Sequence, residues 1–224
     1  MNVASSHPLS TTHQIENAWP PAWNPMALMK SVRDKFGACV TEENRIFLFI
    51  DLNDSTMHAE ELGHLRYSKF LSRFFQDFKI CVRKMGGNIY QYVGDEIVVS
   101  WENTSENVRS ALLLAECFRN KLASKFSVYR SLFGFIPDFK VALHSGFVAI
   151  TRMGFRKMYH GDVLNTCSRM IKVASERKLS LVVSPDVLRG LNDSMAVEST
   201  IIENVIMRGK RDRMQLLSVR SLNY

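Results

Sequence analysis

The sequence predicts an α+β fold, with a ferredoxin-like βαββαβ order of strands and helices followed by extra C-terminal strands. Two observations support this prediction. Short apolar runs, typical of buried strands, alternate with longer segments whose apolar residues recur every three or four positions, as in amphipathic helices. Two runs of high β-propensity also flank a Gly-Asp pair, which indicates a tight hairpin. In this arrangement the helices cover one face of the sheet, so the other face is left for further elements or a partner.

Length and composition indicate one folded domain with an appendage. The chain has 224 residues, of which 46% are hydrophobic and 23% charged, as in a globular protein with a full core. We expect a partly disordered N-terminal arm at 1–40 and a folded domain at 41–224. Within the arm, the Ser-, Thr- and His-rich 1–14 predicts disorder, the Trp- and Pro-rich 19–25 predicts stiff extended chain, and 26–36 predicts a helix.

The N-terminus and the cysteines predict a cytoplasmic location. No basic segment followed by an apolar one marks a signal peptide, and no apolar run approaches the roughly 18 residues of a membrane-spanning helix. The four cysteines are widely separated and form no C-x-x-C pair, so we expect buried, reduced thiols. The protein is therefore predicted to work in a reducing compartment and away from membranes.

The folded domain begins with a continuous apolar run at 45–50, the pattern of a strand covered on both faces. A polar cluster follows at 51–56 and offers capping residues to the next helix, which ends at Gly86-Gly87. A strand end that leads into a helix N-terminus is a natural seat for phosphate. We therefore expect Asp51 and the amides after it to bind metal and phosphate together, with phosphate contacts from Asn53, Ser55 and Thr56.

A second carboxylate, Asp95, follows Gly94 at the turn of a hairpin predicted at 88–101. A Gly-Asp pair is more often only a turn. If the hairpin lies beside the 45–50 strand, however, Asp51 and Asp95 emerge at the same edge of the sheet. Two converging carboxylates can hold hard divalent cations on oxygen ligands.

The remaining elements complete the predicted order. We expect a helix at 106–128, a hairpin of strands 139–144 and 147–151 around Ser145-Gly146, a helix at 162–176, a strand at 181–183, a short helix at 185–191 and two terminal strands around 208–210.

The 162–176 helix places Asn165 and Arg169 four residues apart, on one helical face. Such a pair is usually a solvated surface. Together with the carboxylate pair, the Asn/Arg pair can instead be interpreted as part of a phosphoryl-transfer site. Asn can orient a ribose, and the planar guanidinium of Arg matches phosphate oxygens.

The histidines receive no catalytic role from the sequence. His58 and His64 are predicted to lie on the surface of the first helix, whereas His144 and His160 are predicted to lie near the site in structural roles.

The net charge of +7 favours an anionic partner, either nucleic acid or a nucleoside triphosphate. The Lys and Arg residues are scattered, and only 208–213 is dense in them. A nucleic-acid binder prefers a continuous basic stripe, and two carboxylates at the sheet edge would repel a phosphate backbone. Nucleic acid is therefore not the expected partner.

Four segments resemble the successive signatures of class III nucleotidyl cyclases: Phe-Ile-Asp51-Leu-Asn-Asp-Ser-Thr, Gln-Tyr-Val-Gly-Asp95-Glu, Leu-His-Ser-Gly146 and Gly-Asp-Val-Leu-Asn165-Thr-Cys-Ser-Arg169. The resemblance covers about 45–219, in the family's order and spacing. It implies a catalytic domain that converts a nucleoside triphosphate to the 3′,5′-cyclic monophosphate and pyrophosphate.

The resemblance also implies roles for individual residues. Asp51, Asp95 and the Leu52 carbonyl would hold two divalent ions, Mg²⁺ or Mn²⁺. Asn165 would orient the ribose and Arg169 would stabilise the transition state. The phosphate-binding lysine region of the family falls on 208–210, where either Arg208 or Lys210 would take the role. Because family members divide one site between two subunits, a head-to-tail homodimer is implied.

Base selection is where the sequence departs from the family. Gln91 occupies the position where adenylyl cyclases have Lys and guanylyl cyclases have Glu, and Met158 stands where Asp or Cys is expected. Tyr90 and Tyr92 add bulk, although strand alternation points both away from Gln91. This pattern is similar to stand-alone bacterial pyrimidine cyclases of anti-phage signalling, which favours UTP as substrate, cyclic UMP as product and a separate receptor. Adenylate or guanylate cyclase activity is the alternative.

Two readings without cyclase activity remain. One is an inactive, nucleotide-binding regulatory module, against which the complete set of Asp51, Asp95, Asn165 and Arg169 argues. The other is a ferredoxin-like nucleic-acid binder, which needs aromatic residues on an open sheet face and a basic groove.

Overall fold

The structure is a computed structural model that describes residues 40–191, 196–206 and 213–223. Its elements in chain order are β1 (Thr41–Leu52), α1 (Ser55–Lys84), β2 (Asn88–Val93), β3 (Glu96–Glu102), α2 (Ser105–Ser124), α3 (Phe126–Phe133), β4 (Phe139–Met153), β5 (Arg156–His160), α4 (Asp162–Glu176), β6 (Leu181–Val183), α5 (Pro185–Leu188), β7 (Ala196–Ile206) and β8 (Arg213–Asn223).

The strands form one sheet in the order β2-β3-β1-β4-β6-β8-β7, with β5 paired to β4. Within the group β2-β3-β1-β4, each strand pairs antiparallel to the next. This is the strand order of a ferredoxin-like βαββαβ unit. β6 extends the sheet by pairing parallel to β4, and β8 and β7 follow as an antiparallel pair. The predicted α+β class with extra C-terminal strands is confirmed.

The two faces of the sheet carry different helices. One face is covered by α1, α2 and α3, whose aromatic residues form the larger core with Trp101 of β3. The other face is covered by α4, where Cys167 and Met170 pack with Phe47 of β1. The sheet face that the βαββαβ unit leaves open is therefore occupied by a helix of the same chain.

The hairpin predicted at Ser145-Gly146 is wrong. β4 continues through these residues to Met153, and the chain turns at Gly154, whose φ of +61° favours glycine, before returning as β5. Gly146 is needed for another reason. A Cβ at Gly146 would lie 2.9 Å from Cγ2 of Val163 on α4, so the glycine permits close packing of the helix on the strand.

Helix boundaries differ from the predictions in two places. The segment predicted as one helix at 106–128 is two helices, α2 and α3, separated at Lys125 with φ −109° and ψ 13°. The helix predicted at 185–191 ends at Leu188. The predicted stop of α1 is confirmed, because its last residue, Lys84, is followed by Gly86 with φ +65°.

His58 is buried rather than exposed. Its ring stacks on Phe135 with centroids 3.7 Å apart and also meets the edge of Phe70. The residue pattern of α1 could not indicate the burial of His58, because its stacking partner Phe135 belongs to the segment after α3. His64 is exposed, as expected.

Several predictions fall on residues that the structure does not describe. They are the N-terminal arm with its extended and helical pieces, and the 208–210 segment between the terminal strands. None of the helices in the described ranges combines the length and the apolar character that crossing a membrane requires.

Phe74→Ala is expected to lower the free energy of unfolding by about 3–5 kcal/mol, because it empties a fully buried aromatic site against Phe118. Leu65→Ala on the same helix is the matched control, since Leu65 is 72% exposed and its loss should cost at most about 0.5 kcal/mol. Urea unfolding of both variants measures the difference. Equal midpoints would contradict the packing described here.

Candidate active site

Asp51 and Asp95 reach one edge of the sheet from neighbouring strands. β1 and β3 pair with Ile50 opposite Ile97, so the end of β1 lies beside the start of β3. Asp51 is the second-last residue of β1, and Asp95 precedes β3 in a turn with Gly94 at φ +62°. The strand adjacency on which the carboxylate pair depends is present.

The two carboxyl groups interact directly. Burial raises the pKa of Asp51, the Lys140 ammonium opposes that rise, and the charge of Asp95 together with a hydrogen bond to it raises the Asp51 pKa further. Glu96 adds a third acidic group. Burial, followed by the charges of Asp51 and Asp95, raises the pKa of Glu96 to about 7. Three carboxyl groups are therefore concentrated at this edge of the sheet.

Lys140, which was not among the predicted site residues, lies against this acidic edge. Its Nζ is 2.8 Å from Oδ2 of Asp51, 3.2 Å from Oδ1 of Asn53 and 3.4 Å from the carbonyl oxygen of Leu52. The side chain is buried on β4. The available signal was a lysine inside the apolar run 139–143, because a buried ammonium requires charged or polar partners.

Asn53 is fixed in turn by Asp138. Its backbone N–H donates to the Asp138 carbonyl oxygen at 2.9 Å, and its side-chain Nδ2 donates to Oδ2 of Asp138 at 2.8 Å. The Asn53 Oδ1 is thereby turned towards Lys140. A continuous chain of contacts links Asp138, Asn53, Lys140 and Asp51.

Asp138→Ala is expected to weaken Mn²⁺ binding about 10–100-fold, because partners behind metal ligands hold them in place. Asp138→Asn should restore most of the affinity, since its amide oxygen can still accept from Asn53. Electron paramagnetic resonance of free Mn²⁺ during titration measures both variants. Glu176→Ala, at an exposed position on α4, is the control. Unchanged Mn²⁺ affinity in Asp138→Ala would show that the contacts from Asp138 through Asn53 and Lys140 to Asp51 do not support metal binding.

The donor set suits a hard divalent cation. Carboxylate oxygens of Asp51 and Asp95 and the carbonyl oxygen of Leu52 are the ligand types that Mg²⁺ and Mn²⁺ prefer. In the part of the chain that the structure describes, no three His, Cys, Asp or Glu side chains form a ready-made metal cage. Mg²⁺ is usually held by one or two carboxylates together with substrate phosphates, so the residues fit the ion.

The phosphate-binding prediction falls on the loop between β1 and α1. Ser55 starts α1, and Thr56 follows it as an exposed residue. The expected side-chain cap is not formed: Asp54 at the N-cap has φ 55° and makes no capping hydrogen bond. Tyr67 lies nearby, and its pKa is raised by burial and by the charge of Asp95.

Asn165 and Arg169 both lie on α4. Asn165 is exposed, and Nη1 of the half-buried Arg169 is 4.0 Å from Oδ1 of Asp162. Neither residue has a hydrogen bond or ion pair with the carboxylate pair within the described residues. The C-terminal part of α4 is what borders Asn53 and Lys140, through Ala174. At 1.5 Å rise per residue, Asn165 is about 13 Å further along the helix.

The three predicted base-selecting residues share one cavity. It has a volume of about 620 Å³ and is lined by β2, by Ser100 of β3 and by residues 156–159 of β5, including Tyr90, Gln91 and Met158. β5 was absent from the predicted fold. The cavity therefore depends on the β4–β5 turn that the sequence analysis placed elsewhere.

Strand alternation predicted the wrong side for Tyr90. The pairing of β2 with β3 shifts between Ile89 and Gln91, and such a bulge inserts one extra residue into a strand. The Tyr90 ring consequently packs against Phe47 and Tyr159, whereas Tyr92 packs against Phe75 of α1. The bulge lets Tyr90 and Gln91 line the same cavity.

The other predicted residues divide into two groups. Arg208 and Lys210 lie outside the described residues. His144 and His160 have hydrogen-bonded positions that agree with structural roles: Nδ1 of His144 is 2.7 Å from Oγ of Ser184, and Nε2 of His160 is 2.8 Å from Oγ1 of Thr151.

Comparison with known proteins identifies the family of the chain. Residues 40–219 match the family model described as the adenylate and guanylate cyclase catalytic domain. Adenylate cyclase 2 of Rhizobium meliloti (strain 1021) is 29% identical over 187 residues, which are 80% of this chain and 50% of that protein. The chain thus spans half the length of this relative.

Solved structures share the fold. The adenylyl cyclase CyaB from P. aeruginosa superposes with a TM-score of 0.70 at 16% identity, over 81% of this chain and 96% of that one. A non-canonical dimeric guanylyl cyclase domain from the aquatic fungus Blastocladiella emersonii superposes with a TM-score of 0.65 at 15% identity, over 84% of this chain and 99% of that one.

The ferredoxin-like sheet and the family match over residues 40–219 together define a nucleotide cyclase type of domain. The chain belongs to the adenylate and guanylate cyclase catalytic domain family.

Proposed function

We propose that this chain converts a nucleoside triphosphate to its 3′,5′-cyclic monophosphate and pyrophosphate. The observation that carries the proposal is the interaction of Asp51 with Asp95 at the junction of β1 and β3, in a chain of the cyclase family. In the reaction the ribose 3′-oxygen attacks the α-phosphorus, the bond from that phosphorus to the bridging oxygen breaks, and pyrophosphate leaves.

Asp51, Asp95 and the Leu52 carbonyl are the groups that would hold two Mg²⁺ or Mn²⁺ ions. When bound, such ions favour ionisation of a hydroxyl and neutralise charge on phosphate oxygens. The chain itself contributes positive charge at this edge, because the Lys140 ammonium lies 2.8 Å from Oδ2 of Asp51. Amides and hydroxyls from Asn53, Ser55 and Thr56 at the start of α1 add hydrogen bonds to the triphosphate.

Asn165 and Arg169 complete the chemistry. Arg169 would stabilise negative charge that develops on the phosphate in the transition state, and Asn165 would hold the ribose so that its 3′-oxygen faces phosphorus. Arg208 or Lys210 would bind the leaving pyrophosphate.

The two halves of the site are proposed to come from different subunits. Within the described residues Arg169 has its ion pair with Asp162 and none with Asp51 or Asp95, which supports a site completed by a second chain. A head-to-tail homodimer joins the carboxylates of one subunit to α4 of the other and creates two equivalent sites.

ATP is the proposed substrate. Gln91 can both donate and accept, and a side-chain amide pairs with the N6 and N7 positions of adenine. The relative from Rhizobium meliloti is named an adenylate cyclase, which favours the same base. UTP is the second candidate, because Gln91 and Met158 match neither purine pattern of the family and uracil also offers one donor and adjacent acceptors.

Purified protein with Mn²⁺ and each of the four triphosphates tests this choice, with products identified by mass spectrometry. We expect cyclic AMP as the main product. Gln91→Ala should lower kcat/KM for ATP about 10–100-fold, as expected for loss of one bidentate base contact. Gln76→Ala, exposed on α1, is the control. Cyclic UMP as the main product would show that UTP, and not ATP, is the preferred substrate. Absence of a cyclic product from all four triphosphates would contradict the proposed activity.

A cytoplasmic location, a separate receptor for the product and a role in anti-phage signalling stay predictions. They rest on the sequence patterns described first, and detection of the cyclic product in cells before and after phage infection would test the last of them.

A further inference from the structure

Two thiols meet at the other end of α1 from the carboxylate site. Cys81 lies near the end of α1 and Cys117 lies on α2, and both residues line the same cavity between these helices. Cys81 is buried in the core, while Cys117 is half-buried. Cys167, by contrast, is fully buried under α4, with its Sγ 3.3 Å from the Phe47 carbonyl oxygen.

Both thiols line an open cavity of about 440 Å³ between α1 and α2. The charged residues of its lining are three cations, Lys84, Arg109 and Lys121, and one anion, Glu116. This excess of positive charge attracts small anions. The cavity lining therefore places a net positive charge beside the two thiols.

We propose that Cys81 and Cys117 form a thiol–disulfide exchange site for small anionic disulfides of the glutathione type. In the first step, the Cys117 thiolate attacks one sulfur of the disulfide, a mixed disulfide forms and one small thiolate leaves. In the second step, the Cys81 sulfur attacks the Cys117 sulfur, the protein disulfide forms and the second small thiolate leaves with the Cys81 proton. The protein loses two hydrogens and the small disulfide gains them.

The environment of the two thiols sets the order of these steps. Thiolates are the attacking species, and burial, followed by the contact with Cys117, raises the pKa of Cys81 to about 12. Cys81 is therefore a poor first nucleophile. Cys117 is the more exposed thiol, and the mixed disulfide is expected to form on it.

Incubation of the full chain with oxidised glutathione, followed by peptide mass spectrometry, tests the proposal in a Cys39→Ser background. We expect a Cys81–Cys117 disulfide. Cys81→Ser should retain one glutathione on Cys117, and Cys117→Ser should retain none, whereas Cys167→Ser should react like the parent. Unmodified Cys117 in the Cys81→Ser variant, or glutathione that stays on Cys117 without closure in the parent, would overturn the proposal.

The charge of the cavity provides a second readout. Lys84→Gln with Lys121→Gln should slow reaction with oxidised glutathione about tenfold. Reaction with the neutral bis(2-hydroxyethyl) disulfide should keep its rate, because that reagent has no carboxylates. An equal effect on both reagents would exclude recognition of the anion by the cavity.

Discussion

Asp95→Asn is expected to lower cyclase turnover about a thousandfold, because charge stabilisation by a bound metal ion is worth several kcal/mol and each 1.4 kcal/mol is about a factor of ten in rate. Asn keeps the size of the side chain but not its charge, and Asp95 is half-buried in a turn rather than part of the core. The fold should therefore persist. Steady-state rates with Mn²⁺ measure the loss.

Glu176→Gln is the matched control for this substitution, since it removes a carboxylate from an exposed position on α4 and should leave the rate within a factor of about two. Thermal unfolding of Asp95→Asn checks that the fold is intact. Turnover above about a tenth of the wild-type value would exclude Asp95 as a metal ligand, given the size of the effect expected for an ion.

Arg169→Ala is expected to lower kcat by about 10²–10³, the usual cost of removing one group that stabilises transition-state charge. KM should change little, because the contact is strongest in the transition state. Arg169→Lys should recover only a small part of the activity, since an ammonium lacks the planar fork of guanidinium. Arg177→Ala, exposed just beyond the end of α4, is the control.

Mixing the two inactive variants tests whether sites are shared between subunits. A dimer of Asp95→Asn with Arg169→Ala contains one site with both substitutions and one site with neither. Randomly paired chains should recover about a quarter of wild-type activity, because half of the dimers are mixed and each holds one intact site of two. No recovery, in chains shown to exchange subunits, would exclude shared sites.

The βαββαβ order of the first elements and the positions of Asp51 and Asp95 at strand ends were predictable because both are local patterns. An apolar run that ends in Asp51, and a Gly-Asp turn between two strand-forming runs, define strand ends whatever the rest of the chain does. Their adjacency followed from the ferredoxin-like order, in which β1 lies beside β3.

The features that the sequence analysis missed depend on contacts between distant segments. Gly146 was interpreted as a turn residue, whereas it accommodates Val163 of α4. The bulge at Ile89/Gln91 reverses the side that Tyr90 faces, and alternation along a strand carries no signal for one inserted residue. Lys140 joins the site only because β4 lies beside β1, with Lys140 opposite Asp51.

The residues that select the base could be located from the sequence, but the cavity that they share depends on contacts between distant segments. Gln91 and Met158 could be located by counting from Asp95 and Asn165. Their common cavity, and the wall that Tyr90 forms with Tyr159 at a centroid distance of 4.9 Å, required the β4–β5 hairpin. The residue identities then leave the choice between ATP and UTP to the substrate assay.

Anomalous X-ray diffraction from crystals grown with Mn²⁺ and a non-cyclisable ATP analogue is the most direct test of the metal site. We expect two Mn²⁺ peaks about 3.5–4 Å apart, bound by the carboxylates of Asp51 and Asp95 and by the triphosphate. Triphosphate bound elsewhere, or Mn²⁺ absent from both carboxylates while the nucleotide is present, would contradict the mechanism.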